Sequence, residues 1–383
     1  MANAFKTFLK FSLGTIVNSG ISLITIPIIT WFLAPEELGK ATMFTLSYNL
    51  LLNIFLLGQD QSFIRNYNEV GKENISKLWF ASLLPALTTT VFGVALLILF
   101  RSHIALFLFA SINYDYFVDL LALTLFCGVV SRLAQVSIRM RNAALTYSIV
   151  QVLGTISNLA LTLLYVIFIK NDFSAVVLSF VCSQILVMVT SVFLERDLLR
   201  FTFKENSLFF DIKKNLVYGI PFVPTFICDW LFQSTDRTFL RIYSTFSQVG
   251  VYTTATRISA SLGILQTGFS TFWIPYVFEK FSKNQNDKSF YNEIFQAVYL
   301  SFCFAILGIL LFKDLIYIII PEAYYSSIAI FPILLFVPMF YTLSEITGIG
   351  INLKRKTVFH LYILLVVAFL AVVLGYFLIR IYG

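Results

Sequence analysis

Long apolar segments, separated by short clusters of charged residues, make up almost all of this chain of 383 residues. A membrane-spanning helix needs about 20 mostly apolar residues, and eleven segments reach this length. These segments are Phe8–Leu33, Gly39–Phe63, Leu78–Phe100, Tyr116–Ile138, Asn142–Ile169, Phe173–Leu194, Asn215–Leu240, Val249–Phe278, Ile294–Phe312, Tyr325–Ile351 and Thr357–Tyr382. The sequence nowhere shows the strict alternation of a membrane β-strand. The pattern therefore predicts an all-α integral membrane protein with about 11 transmembrane helices.

The composition fits a chain that lies largely in lipid. Hydrophobic residues make up 58% of the chain and charged residues 12%, whereas a soluble domain has about 45–50% and about 25%. This excludes an ordinary soluble enzyme and a disordered chain. The net charge is +7, but no nucleic acid partner is predicted because the basic residues lie in short clusters between apolar segments. The four cysteines and two histidines form no metal-ligand set, so no metal or cofactor is predicted.

The distribution of the basic residues predicts the orientation of the chain. If the N-terminus is cytoplasmic, 19 of the 27 Lys and Arg residues lie in the N-terminus and in the cytoplasmic loops, as the positive-inside rule expects. The first apolar stretch, Phe11–Leu33, is too long for a signal-peptide core of about 7–15 residues. We therefore expect a multi-pass protein that keeps this stretch as its first helix and has a cytoplasmic N-terminus.

The longest predicted loop, Glu195–Lys214, separates six predicted helices from five. We therefore expect an N-terminal six-helix bundle over residues 1–200 and a C-terminal bundle of five predicted helices over residues 201–383. Every predicted outer loop is short, and the sequence has no phosphate-binding loop or hydrolase motif. These features favour a transporter over an enzyme, with its site between the helices.

The two halves of the chain resemble each other, which indicates an internal repeat. The turn Leu33–Gly39 precedes an apolar helix, as does the turn Thr245–Gly250, and the two terminal glycines are 211 residues apart. Transporters built from parallel repeats place the substrate path between the halves. The sequence therefore predicts two pseudo-symmetric bundles with a central path.

Charged residues at membrane depth are the candidate site residues, because each costs about 2.5–3.5 kcal/mol at the bilayer centre. The candidates are Asp60, Arg65, Arg132, Arg139, Asp229, Asp236, Arg237 and Arg257. One interpretation is a water-filled cavity whose arginines bind phosphate through a planar, bidentate fork. The other is that these arginines extend to the inner surface or pair with Asp60 or Asp229.

The position of each arginine within its segment favours one interpretation or the other. Arg257 lies about eight residues into its segment, where neither membrane surface is within easy reach, so a role in the substrate path is favoured. For Arg132 and Arg139, near the inner end of the fourth segment, both interpretations stay open. Asp236 and Arg237 lie at the outer end of the seventh segment, where they line a gate or pair locally.

Several short motifs, spread over nearly the whole chain, resemble those of a known family. They are Gly14 with the turn Leu33–Gly39, then Gly58–Glu69, Tyr218–Arg237, Val249–Arg257 and Lys354–Thr357. Together they resemble the bacterial polysaccharide-biosynthesis flippases of the Wzx type, in the superfamily of the MATE exporters. The resemblance implies two six-helix bundles that form a V around a central cavity, whereas this chain has eleven predicted helices. It also implies roles for the motif residues Asp60, Arg65, Asp236, Arg237 and Arg257.

The resemblance implies a function as well. It is the flipping of an undecaprenyl-pyrophosphate-linked oligosaccharide, such as an O-antigen or capsule repeat unit, from the cytoplasmic to the outer leaflet of a bacterial inner membrane. Membrane lipid and other polysaccharide assembly proteins are the implied partners. One alternative is a polysaccharide polymerase or ligase, although these enzymes need a large outer loop. The other is a cation-coupled drug antiporter of the same superfamily, for which Asp229 and Glu345 are the acidic candidates in the second half.

Overall fold

The computed structural model describes residues 17–18, 20–21, 24–71, 74–199, 205–283, 288–354 and 358–382, and within these ranges the regular structure is helical. Part of the predicted first helix, including Gly14, lies outside the described residues, as does the end of the Lys354–Thr357 motif. Residues 17–18, 20–21 and 24–32 are helical and form the described part of the first helix, α1. The prediction of an all-α membrane protein is confirmed.

Most of the helices after α1 follow the predicted segments. The helices Arg101–Phe109, Glu205–Gly219 and Lys313–Ile319 lie mainly in stretches predicted as loops, and the second of these occupies half of the predicted loop Glu195–Lys214. In chain order, the helices after α1 are α2 (Pro35–Leu56), α3 (Gln59–Tyr67), α4 (Ile75–Leu99), α5 (Arg101–Phe109), α6 (Tyr116–Met140), α7 (Ala144–Phe168), α8 (Phe173–Leu194), α9 (Glu205–Gly219), α10 (Phe222–Tyr243), α11 (Phe246–Ser259), α12 (Gly263–Lys283), α13 (Lys288–Leu311), α14 (Lys313–Ile319), α15 (Ser327–Leu334), α16 (Phe336–Leu353) and α17 (Val358–Tyr382). Short 3₁₀ turns cover Ile112–Tyr114, Arg196–Leu199, Ala260–Leu262 and Glu322–Tyr324.

Eight helical stretches of the described chain are long and apolar enough to cross a membrane, or nine if the bent pair α2–α3 is counted as one span. These nine correspond to nine of the eleven predicted segments. The remaining two are the first segment, which is only partly described, and the eighth, which is divided into α11, a 3₁₀ turn and α12. About eleven spans is therefore compatible with the structure.

The breaks within the predicted segments have local causes. Between α2 and α3 the chain bends by 51°, since Leu57 and Gly58 both have positive φ angles, 50° and 67°. A residue with a side chain adopts this conformation only at a cost, so glycine suits the second position. Between α15 and α16, Pro338 lacks the N–H group that would bond to the Leu334 carbonyl, and the helix is interrupted nearby.

The two halves of the chain meet through reciprocal glycine contacts. Gly39 of α2 lies against the backbone of Phe246, the first residue of α11, and Gly250 of α11 lies against the backbone of Pro35, the first residue of α2. Both glycines lie 211 residues from their counterpart, as do the two residues that they contact. The predicted repeat is therefore expressed as a pseudo-twofold packing of α2 on α11.

A different set of contacts joins the halves at the other end of the molecule. We call this end, which holds α3 and α9, the α9 end, and the opposite end, which holds α5 and the starts of α2 and α11, the α5 end. At the α9 end, Gly58 and Gly219 pack backbone to backbone. The Asn66 side-chain amide donates to Asn215 at 2.9 Å. The two halves are therefore in contact at both ends, and α9 packs on α3 and α4 of the first half.

Candidate functional site

Arg132 of α6 pairs with Asp60 at the start of α3. Its Nε and one terminal nitrogen lie 3.3 Å and 3.2 Å from one Asp60 carboxylate oxygen. The Asp60 side chain is only 4% exposed, while that of Arg132 is 48% exposed. The backbone N–H of Gln61 also donates to Asp60, at 2.9 Å. Of the two interpretations of Arg132, the structure thus has the one in which it pairs with Asp60.

The other predicted residues of the first half lie towards the α9 end. Arg65 is exposed and pairs with Glu69, one helical turn further on, at 2.5 Å. Arg139 lies two turns after Arg132 on α6 and is half-buried. Among the described residues, no carboxylate lies within 4.0 Å of Arg139. The structure therefore does not bring Arg65 into contact with the Asp60–Arg132 pair.

A cationic cluster lies in the second half, where α10 and α11 meet. Arg237 of α10 donates to the Thr256 hydroxyl of α11 at 2.9 Å, and its guanidinium lies 5.9 Å from the centre of the Tyr252 ring. Its Nε is buried and has no hydrogen-bond partner among the described residues. The neighbouring carboxylate of Asp236 is turned to the Tyr252 hydroxyl, which donates to it at 2.5 Å. Asp236 therefore does not form an ion pair with Arg237.

Arg257 completes this cluster. It follows Thr256 directly on α11, it is half-buried, and it experiences the charges of Arg237 and the nearby Tyr324 hydroxyl. Within the described chain, no hydrogen bond or ion pair connects Arg257 to a carboxylate. Arg257 lies eleven residues after the start of α11, which places it about 16 Å along the helix axis at a rise of about 1.5 Å per residue. Two like charges therefore share a site deep in the molecule with little local compensation.

Asp229 and Glu345 lie in the same half but outside the cationic cluster. Asp229 is exposed on α10 and accepts a hydrogen bond from Gln233 at 2.8 Å. Glu345 of α16 accepts one from Ser270 of α12 at 2.5 Å. Both carboxylates act electrostatically on Tyr341, so they lie around one side chain.

Two cavities are lined in part by residues next to Arg237 on α10, although neither wall includes Arg237 or Arg257. One, of about 600 Å³, lies between α10, α11, α15 and α17 and includes Asp236 and Tyr252 in its wall. The other, of about 410 Å³, lies between α2, α4, α5 and α10 and includes Trp230 and Thr238. Arg237 lies between Asp236 and Thr238 in the sequence, so its position on α10 is between the two cavities.

Sequence reasoning did not identify the residues that hold the cluster in place. Tyr252 and Thr256 are neither charged nor part of a catalytic motif, so their roles depend on the way in which α10 packs on α11. The one available signal was helical spacing, because Tyr252 and Thr256 are four residues apart and share a face of α11. Sequence reasoning also did not identify the contact of Arg241, which donates to the Phe107 carbonyl of α5 at 2.7 Å.

The chemistry available at this site is the binding of an anion. Guanidinium groups bind phosphate oxygens through paired N–H donors, and Arg237 has a buried donor to spare. No group of three His, Cys, Asp or Glu residues in the described ranges could hold a metal ion. All four cysteines are free, and they range from buried Cys127 to exposed Cys182.

Comparison with known proteins agrees with the fold. Residues 28–329 match a family described as polysaccharide biosynthesis protein. An uncharacterized membrane protein of Haemophilus influenzae is 22% identical over 277 residues, which are 70% of this chain and 64% of that protein. The matched region thus spans less than two thirds of that relative.

Solved structures of MATE proteins and of another MOP superfamily transporter share the fold. An inward-facing multidrug resistance MATE family transporter of the MOP superfamily has a TM-score of 0.64 at 15% identity, covering 93% of this chain and 85% of that one. A MATE protein in complex with MaD3S has a TM-score of 0.60 at 16% identity, with 96% and 85% covered. A MOP superfamily transporter from Pyrococcus furiosus, described as having a binding pocket of reversed polarity, has a TM-score of 0.54 at 14% identity, with 98% and 93% covered.

Proposed function

Since this chain belongs to the polysaccharide biosynthesis protein family, we propose that it flips a lipid-linked oligosaccharide across the membrane. The substrate is an undecaprenyl-pyrophosphate-linked repeat unit of O-antigen, capsule or a related polymer. It moves from the cytoplasmic to the outer leaflet of the bacterial inner membrane. The family and the fold together support a membrane exporter rather than an enzyme.

The observation that carries this proposal is the pair of neighbouring arginines, Arg237 and Arg257. A pyrophosphate is the part of such a substrate that is most costly to move through lipid, because its charges must leave water. Two guanidinium groups with little carboxylate compensation supply the opposite charge at that depth. The cations repel each other when the site is empty, so an anion that binds between them removes that repulsion.

The candidate residues of the first half lie along the proposed substrate path, away from the two arginines at its centre. The buried Asp60 carboxylate is neutralised by the half-exposed Arg132, which costs less than leaving the carboxylate unpaired. Arg139 has no carboxylate partner among the described residues, so it is available to an anion that approaches from the α9 end. Arg65 is exposed and paired with Glu69, and we assign it to the entrance on the cytoplasmic side.

The test is to replace Arg257 by Ala in the native host. We expect Arg257→Ala to lose surface polysaccharide while the protein stays at its normal level in the membrane, because the anion site loses one of its two cations. Arg257→Lys keeps the charge but not the planar fork, so we expect partial loss. Surface polymer and the lipid-linked intermediate of each leaflet are the measured quantities.

Arg380 provides the matched control. It is an exposed arginine of the same half, on α17, and it donates to the Tyr376 hydroxyl at 2.8 Å. Arg380→Ala should leave surface polysaccharide unchanged. Normal polymer in Arg257→Ala, or an accumulation of single repeat units already in the outer leaflet, would contradict flipping. The second of these results would favour a polymerase.

One observation favours a second candidate, the cation-coupled antiporter. Asp229 and Glu345 both lie around Tyr341, and carboxylates inside a helical bundle are typical proton or cation carriers. Efflux of a cationic drug from vesicles, driven by a proton or sodium gradient and lost in Glu345→Gln, would support this function. We expect no such efflux.

A further inference from the structure

The cavity of about 410 Å³ beside the cationic cluster is lined almost entirely by apolar side chains. They come from both halves of the chain, with Leu50 and Leu51 of α2 facing Trp230 of α10. Ser47 and Thr238 are the small polar residues in its wall, and His103 lies at the α5 side. An apolar cavity of this size disfavours water and favours hydrocarbon.

The wall contributed by α10 connects this cavity to the cationic cluster. Thr238 lines the cavity, and Arg237 is the residue directly before it. Arg237 is in turn fixed on Thr256 of α11, next to Arg257. An apolar chamber and a site for an anion therefore share a border on one helix, which is the arrangement that an amphiphile with an anionic head requires.

Hydrogen bonds to the first half of the chain fix α10 over the cavity at two places. The Trp230 indole N–H donates to the Leu46 carbonyl of α2 at 3.1 Å. Towards the α5 end, Arg241 donates to the carbonyl of Phe107 at 2.7 Å and to that of Leu106 at 3.2 Å. These carbonyls belong to the last turn of α5, where carbonyl groups accept from outside the helix; that of Leu106 also accepts from the Ala110 N–H at 3.0 Å. The contacts hold two halves together around an apolar chamber without filling it.

We infer that this cavity between α2, α4, α5 and α10 binds the hydrocarbon chain of the lipid whose phosphate group is held by Arg237 and Arg257. The inference rests on the proposed function and adds the location of the lipid chain, a linear isoprenoid. The chain is not left wholly in the bilayer during transport. A segment of it lies inside the protein, and burial of its apolar surface contributes to binding.

The test compares two ligands on the purified protein in lipid nanodiscs. One probe is undecaprenyl pyrophosphate and the other is inorganic pyrophosphate. Leu50→Trp places a larger side chain in the cavity, so we expect it to weaken binding of undecaprenyl pyrophosphate by about tenfold. Binding of inorganic pyrophosphate should stay the same, because Leu50 lines the apolar cavity, whose wall includes neither Arg237 nor Arg257. The matched control is Leu123→Trp, which enlarges a residue lining a separate apolar cavity between α4 and α6.

A second measurement does not depend on whether Leu50→Trp folds. A polyprenyl pyrophosphate that carries a diazirine near its first isoprene units should label wild-type peptides from α2, α5 and α10 on irradiation. Labelling confined to lipid-facing surfaces, or equal affinity of wild type and Leu50→Trp for undecaprenyl pyrophosphate, would overturn the inference and leave the proposed function in place. If wild type binds neither probe, the proposed function itself fails.

Discussion

At the scale of single residues, the environment of each charge decides its role. Asp60 and Asp236 are both carboxylates near an arginine in the sequence or in space, yet their partners differ. Asp60 accepts from Arg132, whereas Asp236 accepts from the Tyr252 hydroxyl. The first pair is internally neutralised, and the second leaves Arg237 free to attract an anion. In the proposed anion site, Arg237 therefore lacks the carboxylate partner that Arg132 has.

Two carboxylates at the α9 end should give opposite pH dependences of stability. Burial raises the pKa of Glu195 above its ordinary value of 4.5, although Ser137 and Arg141 partly oppose this. The contribution of Glu195 to the free energy of unfolding is therefore fully present below pH 4.5. It is lost as the pH rises through the raised pKa. Hydrogen bonds from Arg65 and Lys214 lower the pKa of Glu69. The contribution of Glu69 to the free energy of unfolding is therefore present above pH 4.5. It is lost as the pH falls through the lowered pKa.

Thermal unfolding of the purified protein across pH 3–8 tests both predicted pH dependences of stability. We expect Glu195→Gln to remove a decline in melting temperature that begins near pH 4.5 in wild type. Glu69→Gln should lower the melting temperature at neutral pH and have less effect at the acid end. The same pH profile for both variants would show that these assignments are wrong.

At the scale of the helices, the sequence was informative about spans and less so about contacts. Apolar runs such as Leu78–Phe100 and Phe173–Leu194 predicted α4 and α8 within a few residues, because the lipid requirement acts on each helix separately. The sequence also indicated the internal repeat, with an offset of 211 residues between Gly39 and Gly250. The pairing of Arg132 with Asp60 was one of two open interpretations, since it depends on how α6 is rotated against α3. Only packing fixes that rotation.

The glycine contact between α2 and α11 is the most sensitive of these interfaces. A methyl group on Gly250 would collide with the Pro35 carbonyl, and one on Gly39 would collide with that of Phe246. We therefore expect Gly250→Ala to lower the free energy of unfolding by about 1–3 kcal/mol through overpacking. Gly308→Ala on α13 is the control, because no atom lies within 4 Å of its added methyl group. Equal melting temperatures of Gly250→Ala and wild type in detergent would refute the close contact.

At the scale of the whole molecule, the two halves meet at both ends through close glycine packing and through polar contacts. The α5 end is joined by the backbone packing of Gly39 and Gly250. The α9 end adds polar contacts, among them the ion pair of Lys77 with Asp211 at 2.5 Å and the Asn66–Asn215 hydrogen bond. Polar contacts exchange readily with water, because their net contribution is small.

The cationic cluster and the apolar cavity of about 410 Å³ could not have been located from the sequence alone. Arg237 and Arg257 were candidates because charges at membrane depth are costly. Their proximity, however, follows from the packing of α10 on α11, and the cavity follows from the space left between α2 and α10. Neither the proximity of the two arginines nor the volume of the cavity can be read from one sequence, because many arrangements of the helices satisfy the same apolar pattern.

The most direct measurement is flipping of a fluorescent undecaprenyl-pyrophosphate-linked oligosaccharide in vesicles that contain only this protein. We expect wild-type protein to expose the lipid to a quencher on the opposite side of the membrane, and Arg237→Ala/Arg257→Ala to reduce the rate to that of protein-free vesicles. Arg380→Ala should match wild type. Equal rates for wild-type and double-variant vesicles, or no movement with wild type under any ion gradient, would contradict the proposal that these two arginines carry a lipid pyrophosphate through the membrane.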